Sequence, residues 1–425
     1  MDQQAYAAIA VFLIVYGLMI TEKIHRTIVA MLGGVLMVAL GIVDQHAALA
    51  HIDFNTLGLL VGMMIIVAIT AETGVFAYVA VKAAQRAGGH PARILVLLSV
   101  ITAVASAFLD NVTTVLLMVP VTISIARQLE VPPIPFIFAQ IVASNVGGTA
   151  TLIGDPPNIM IGGAAPLGFM AFIVHLAPIA AIILVVYLPI FVLLFRNRIR
   201  TSPELRQLVM ATDAKELITD RGRLARSLAV LGATLVGFFL HQSLHLESAT
   251  VALGGAFLLL LLAGEHAMER AFAKVEWTTI FFFVGLFVLV SGLVETGVVA
   301  ELAAKAIELT NGDLAAACML ILWLSAIASA FMDNIPFVAT MIPLIQEMGH
   351  MGIDNLEPLW WSLALGACLG GNGTLIGASA NLVAAGLSAK EGYPIRFVAF
   401  LKLGFPLMLL SIVLSSLYVY IRYLS

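Results

Sequence analysis

Asn145-Val-Gly-Gly-Thr-Ala-Thr-Leu-Ile-Gly-Asp-Pro-Pro-Asn158 lies where hydropathy demands a membrane crossing, yet it holds three glycines, two prolines and an aspartate. A lipid-facing helix could not tolerate that string. Lipid offers an unpaired backbone amide no partner, at a cost of several kcal/mol each, so irregular backbone at that depth must line a protein-enclosed or watery cavity. Asp155 before Pro156 reads as an N-cap followed by proline at the first helical position, which starts a half-helix with its positive end on the cavity. Gly370-Gly-Asn-Gly-Thr-Leu-Ile-Gly-Ala-Ser-Ala-Asn381 repeats the break further along, with Ser379 expected as the cap.

The two breaks belong to an internal repeat of constant spacing. Ala105-Ser-Ala-Phe-Leu-Asp-Asn111 matches Ala328-Ser-Ala-Phe-Met-Asp-Asn334 at six of seven positions, 223 residues apart. Thr151–Gly154 matches Thr374–Gly377, Glu72–Val75 matches Glu295–Val298, and Pro120 matches Pro343 at the same spacing. From about Asp53 to Asn158 the halves align without a gap. The chain therefore divides into a first repeat over 1–195, a basic linker over 196–225 and a second repeat over 226–425.

Composition makes both halves membrane-embedded. Of 425 residues 61% are hydrophobic and 11% charged, too much apolar surface for a soluble core. The Met1-Asp-Gln-Gln start lacks a basic region and a cleavage site, so the first apolar segment is expected to stay as a helix. Loop charge then sets orientation. Lys23 and Arg26 follow the first helix, Asp44–Asp53 carries no Lys or Arg, and Lys82, Arg86 and Arg93 occupy the next connection. In the second half the bias flips, with none in His241–Glu247 and then Arg270 and Lys274. Opposite bias in corresponding loops is what inverted copies produce. The linker, with Arg196, Arg198, Arg200, Arg206, Lys215, Arg221, Arg223 and Arg226, is expected in the cytoplasm and both termini outside.

The expected fold is an all-α polytopic membrane protein of two inverted repeats, each of about five transmembrane helices, one interrupted, plus one re-entrant hairpin. Crossings are placed near 5–20, 27–43, 54–80, 133–163 and 171–195, then 226–242, 248–264, 278–300, 358–388 and 403–421. Hairpins fall near 94–127 and 315–347, their tips at Asp110-Asn111 and Asp333-Asn334. Acids inside apolar segments are expensive to insert and read as functional. The bland alternative is that both cap their return helices, which is compatible with ion binding.

Glu72 and Glu295, each before Thr-Gly, read as helix-end structure. His241 and His245 have metal-pair spacing but fall in a loop, and Cys318 and Cys368 read as packing residues without a CxxC pattern. No catalytic residue, metal site or cofactor is expected, no phosphate loop marks an ATPase, and nucleic acid is no partner. A non-transporting scaffold would need no duplicated midplane acids.

These motifs, Phe108-Leu-Asp-Asn-Val-Thr-Thr-Val115, Asn145–Asn158, Phe331–Asn334 and Gly371–Gly377, resemble the ion transporter superfamily, specifically the arsenite/antimonite permease (arsenical pump membrane protein) branch, related to P-protein-type and sodium/proton antiporters. The resemblance implies a secondary transporter exporting arsenite and antimonite across the cell inner membrane by proton antiport, sometimes with a soluble arsenical-pump ATPase. It implies substrate binding by Asn111, Asn145, Thr149, Thr151 and Asn158 on one wall and Asn334, Asn372, Thr374, Ser379 and Asn381 on the other. Proton or ion coupling would fall to Asp110, Asp333 and Asp155. Uncharged arsenite suits amides and hydroxyls, which both donate and accept. Sodium/proton antiport is the alternative. A carboxylate transporter is disfavoured, because the Ser-Asn-Thr triplets of dicarboxylate carriers are absent at Ser144-Asn145-Val146 and Asn372-Gly373-Thr374.

Overall fold

A computed structural model describes residues 3–21 and 23–424; Met1 and Asp2, used above against a cleaved leader, lie outside the described residues. The first half comprises α1 (Gln3–Thr21), α2 (Arg26–Ala39), α3 (Gln45–Ala50), α4 (Phe54–Ala71), α5 (Val75–Arg86), α6 (Pro91–Phe108), α7 (Asn111–Gln128), α8 (Ile134–Gly148), α9 (Pro156–Ala164) and α10 (Phe169–Phe195). The connecting stretch carries α11 (Pro203–Ala211) and one 3₁₀ turn. The second half comprises α12 (Arg221–Leu240), α13 (Ser248–Ala263), α14 (Glu265–Lys274), α15 (Trp277–Glu295), α16 (Val298–Leu309), α17 (Leu314–Phe331), α18 (Asn334–His350), α19 (Glu357–Gly370), α20 (Ser379–Lys390) and α21 (Phe397–Val419). Among the described residues there is no strand.

The 223-residue spacing is written into the helix starts. Residues 54, 75, 91, 111, 134 and 156 open helices in the first half, and 277, 298, 314, 334, 357 and 379 open their counterparts. Among the described residues eight helices are long and apolar enough to cross a membrane, and α2, α8 and α13 are shorter apolar helices.

The repeats are inverted. Glu72, at the end of α4, binds Arg223 in α12 and Lys274 in α14, so α4 ends on the face that carries the linker. Its counterpart Glu295, at the end of α15, instead binds His51 beside the start of α4, on the opposite face. Equivalent helices thus run in opposite directions. The halves interlock by packing α4 on α13 and α2 on α15.

Four sequence boundaries shift. The expected spans 54–80 and 278–300 each stop early, because Gly74 and Gly297 adopt left-handed backbone, φ 79° and 72°, which separates α5 and α16 as distinct short helices. The span 27–43 ends at Ala39, with α3 following. The linker stretch is partly ordered, and its last residues from Arg221 belong to α12, where Asp220 caps the Arg223 amide at 2.8 Å. The hairpins and interrupted crossings fall where expected, as α6–α7, α17–α18, α8–α9 and α19–α20.

Each hairpin is pinned to the break beside it by duplicated bonds. Ser106 donates to the Ser144 carbonyl at 2.7 Å and Ser329 to that of Ala367 at 2.6 Å. The close approach needs glycine: a Cβ on Gly147 would sit 2.0 Å from the Ala103 carbonyl oxygen, and one on Gly370 2.6 Å from that of Ala326.

Candidate functional site

The backbone leaves the helix at 149–155 and 371–378, and asparagines close both openings. Asn158 donates its amide to the carbonyls of Thr149 at 3.0 Å and Thr151 at 2.8 Å. Its counterpart Asn381 donates to Gly371 at 2.7 Å and Thr374 at 2.8 Å. Thr151 and Thr374 donate to the carbonyls of Ala107 and Ala330, the latter at 2.5 Å, and Thr149 bonds the Asn145 carbonyl at 2.7 Å. These three threonines direct their hydroxyls at backbone, and none of them lines the central cavity.

Where the breaks meet, the amides bind one another. Asn145 donates to Asn372 and to Asn381, both at 2.9 Å, and accepts from Asn111 at 3.2 Å. The position equivalent to Asn145 is Cys368, whose thiol donates to Asn158 at 3.5 Å, as Asn145 does to Asn381. A thiol is the weaker donor. Two buried polar atoms here have no partner among the described residues, Asp155 Oδ2 and Asn372 Nδ2.

The acids gather beside this network. Asp110 and Asp333 cap α7 and α18, accepting from the Thr113 amide at 2.8 Å and the Ile335 amide at 3.1 Å. Asp155 occupies the N-cap position of α9 but makes no capping bond; its side chain instead accepts from Asn334 at 3.2 Å. Ser379 is the first residue of α20, after the cap position Ala378, and its hydroxyl donates to Asp333 at 2.6 Å.

Arg26 completes the cluster. Counted in the sequence as loop charge, it folds inward instead, donating to Asp333 and, at 2.8 Å, to Ser379, with its guanidinium 5.0 Å from the centre of the Phe282 ring.

A cavity of about 20 Å³ remains at the centre, lined by Arg26, Asp110, Asn111, Asp155, Glu276, Thr279, Asn334 and Ser379 with a few apolar neighbours. That is room for about one water or one small ion. Arg26 and Ser379 also line a larger vestibule of about 280 Å³, walled by Tyr16, Phe282 and Phe331. The Arg26–Asp333–Ser379 triad therefore stands between vestibule and cavity. A third space, about 210 Å³, lies by the opposite-face start of α4 and holds His51, Asp53 and Gln346.

Residues 16–366 match the profile of the family described as CitMHS, citrate transporter. The chain belongs to that family. A Mycobacterium tuberculosis protein described as an uncharacterized transporter is 43% identical over 422 residues, covering 98% of both chains. A 46 kDa membrane protein of Mycobacterium leprae is 40% identical with the same coverage. The mouse P protein is 38% identical over all of this chain, which spans 61% of that protein. The Alcanivorax borkumensis YdaH transporter, whose crystal structure is described as revealing an unusual topology, shares the fold: TM-score 0.62 over 99% of both chains at 14% identity. The chain is thus a multi-pass membrane transporter of the CitMHS family with P-protein relatives. None of the relatives named above is described as an arsenite permease.

Arg26 and Glu276 escaped the sequence reading of this CitMHS member. Arg26 opens an apolar run, where a cation reads as loop charge. Glu276 had a usable signal, because it is equivalent to Asp53 at the 223-residue spacing and Thr279 is likewise equivalent to Thr56. Glu72 and Glu295 are helix-end ion pairs outside the cluster. Cys318 and Cys368 are both buried and free. His241 bonds the Phe238 carbonyl, and no metal-holding group of His, Cys, Asp or Glu occurs among the described residues.

Proposed function

We propose that the chain is a secondary active transporter working by alternating access, exchanging protons against a small cation, with sodium as the cargo the cavity fits best. The observation that carries this reading is the charge balance of the centre. Asp110, Asp155, Glu276 and Asp333 gather around one guanidinium, and the cavity lined by the first three has room for about one small ion. Buried acids in such excess are stable only with bound protons or cations. Asp333 is neutralised by Arg26, whereas α13, the counterpart of α2, opens with the uncharged Ser248 where α2 has Arg26, so Asp110 has no such partner. Proton and cation exchange therefore falls to Asp110 and Asp155, with Asp155 Oδ2 free to accept.

A free tricarboxylate, the cargo in the family's description, would meet four acids against one base. Export of arsenite and antimonite, with or without a separate ATPase, is the second reading. The amide-lined wall with the Cys368 thiol beside Asn158 favours it, although the amides already bond one another. In this reading the linker face is cytoplasmic and the membrane is the cell inner membrane.

Purified protein in proteoliposomes, given sodium, arsenite, antimonite or citrate while internal pH is followed, tests the proposal. Sodium should move protons, Asp110→Asn should stop the exchange, and Arg26→Gln with Asp333→Asn should retain it. Full exchange by Asp110→Asn, or movement of arsenite alone, refutes sodium/proton exchange. Labelling of Lys215→Cys from outside intact cells would refute the orientation.

A further inference from the structure

Asp53 and Glu276 are equivalent residues in inequivalent surroundings. Each stands just before the first helix of the aligned region, and each accepts a hydrogen bond from a threonine three residues on, Thr56 and, at 3.0 Å, Thr279. Glu276 and Thr279 line the central cavity with Asp110 and Asp155. Asp53 lines the separate 210 Å³ space at the opposite face.

The helices that could cover them differ in the same sense. In the first half α9 presses on the start of α4, so that a Cβ on Gly163 would sit 2.2 Å from Asp53 Oδ2. The equivalent residue in α20 is Gly386, and a Cβ there would meet nothing within 4 Å. The second helix of the break packs on the carboxylate in the first half and does not in the second. Inverted repeats that hold different conformations gain a second state of the whole protein by exchanging them.

We infer that Asp53 and Glu276 are paired port carboxylates, each facing the central cavity only while its counterpart is covered by α9 or α20. The inference rests on the alternating-access reading and adds two residues to it. In the exchanged state α20 closes on Glu276 at Gly386 while α9 withdraws from Gly163, and Asp53 with Thr56 turns toward the cavity. A cation leaving by either face then meets a carboxylate and a threonine hydroxyl at the exit. The ports are unequal in one respect: Arg26 stands at the Glu276 port and the uncharged Ser248 at the position equivalent to it.

Two glycine variants should bias the state in opposite directions. Gly163→Ala clashes with Asp53 only in the state described, and Gly386→Val clashes with Glu276 only in the exchanged one. The vestibule reports the state through a single cysteine at Met19, in full-length protein with Cys318 and Cys368 changed to Ser, labelled by an impermeant maleimide from the linker face. Gly386→Val should raise the labelling rate and Gly163→Ala should lower it, the two differing by about tenfold for a bias of about 1.4 kcal/mol. Gly386→Ala, a smaller change in open space, guards against misfolding of the valine variant and should shift labelling the same way. Equal rates in all variants overturn the pairing. Asp53→Asn and Glu276→Gln should each slow sodium-driven proton movement at least tenfold, and full exchange by either also overturns it. If labelling shifts as expected and no ion tested moves, the pairing stands and the cargo reading fails.

Discussion

The Arg26–Asp333 pair makes a quantitative prediction. Taking one partner from a fully buried ion pair costs about 3–5 kcal/mol. Here the side chains keep 29% and 12% of their exposure, and the vestibule admits water, so the value is reduced. Arg26→Gln strands Asp333, the more buried partner, which retains Ser379 and the Ile335 amide, and should cost about 2 kcal/mol. Asp333→Asn strands Arg26, which can turn toward the vestibule and stack on Phe282, and should cost about 1 kcal/mol. The double variant removes both charges and should lie about 1 kcal/mol below the parent, giving a coupling energy of about 2 kcal/mol. Thermal unfolding of the four proteins in one detergent measures the cycle, at about 1 °C per kcal/mol for a chain of this length. A double variant that melts as far below the parent as the two single shifts added together would refute the pairing.

Gly147→Ala, whose Cβ would lie 2.0 Å from a carbonyl oxygen, should destabilise by about 3 kcal/mol or more, while Gly17→Ala, with nothing within 4 Å, should be neutral or slightly stabilising; expression and melting separate the two. Burial raises the Glu72 carboxyl, but Lys274 and Arg270 outweigh it and hold the group below its ordinary value of 4.5, so its stabilisation is present above that range and lost as pH falls through the lowered value. Glu72→Gln should lower stability by about 1 kcal/mol at pH 7 and converge with the parent in acid, which melting against pH checks. His51→Lys, which copies its equivalent Lys274, should keep the pair with Glu295 and raise stability by about 0.5 kcal/mol; an unchanged melting temperature would count against the pair.

How much of this could be read from the sequence depended on the kind of signal. Hairpins and breaks were legible because Asp110, Asp333 and the Gly-Pro strings violate the apolar background that lipid imposes, and the repeat located them twice. Fine boundaries were not legible. A left-handed glycine such as Gly74 ends a span without interrupting its hydropathy. At the site, the asparagines converge as expected, whereas Thr149, Thr151 and Thr374 bond backbone, a choice that depends on how closely hairpin and break approach. Arg26 could not be found from local sequence. Its partners Asp333 and Ser379 lie more than 300 residues away, and at the end of a short helix either an inward or an outward guanidinium fits the same pattern.

The differences between the halves gather around the central acids and the ion pairs at the two faces. Bonds that hold hairpin to break are duplicated, as in Ser106 and Ser329 or Thr151 and Thr374. At the centre and the faces the equivalents diverge: Asn145 against Cys368, Asp155 against Ala378, Arg26 against Ser248, His51 against Lys274. Two identical halves would give exchanged states of equal free energy, so a preference between them must come from unlike positions. Arg26 bonds Asp333 in the state described, and in an exchanged state Asp110 would find only the uncharged Ser248 in the corresponding place. This favours the described state by an amount that loss of Arg26 should remove. In the Met19 cysteine assay, Arg26→Gln should therefore lower vestibule labelling, as Gly163→Ala does. A rate at or above that of the parent would mean that the pair holds the two states equally.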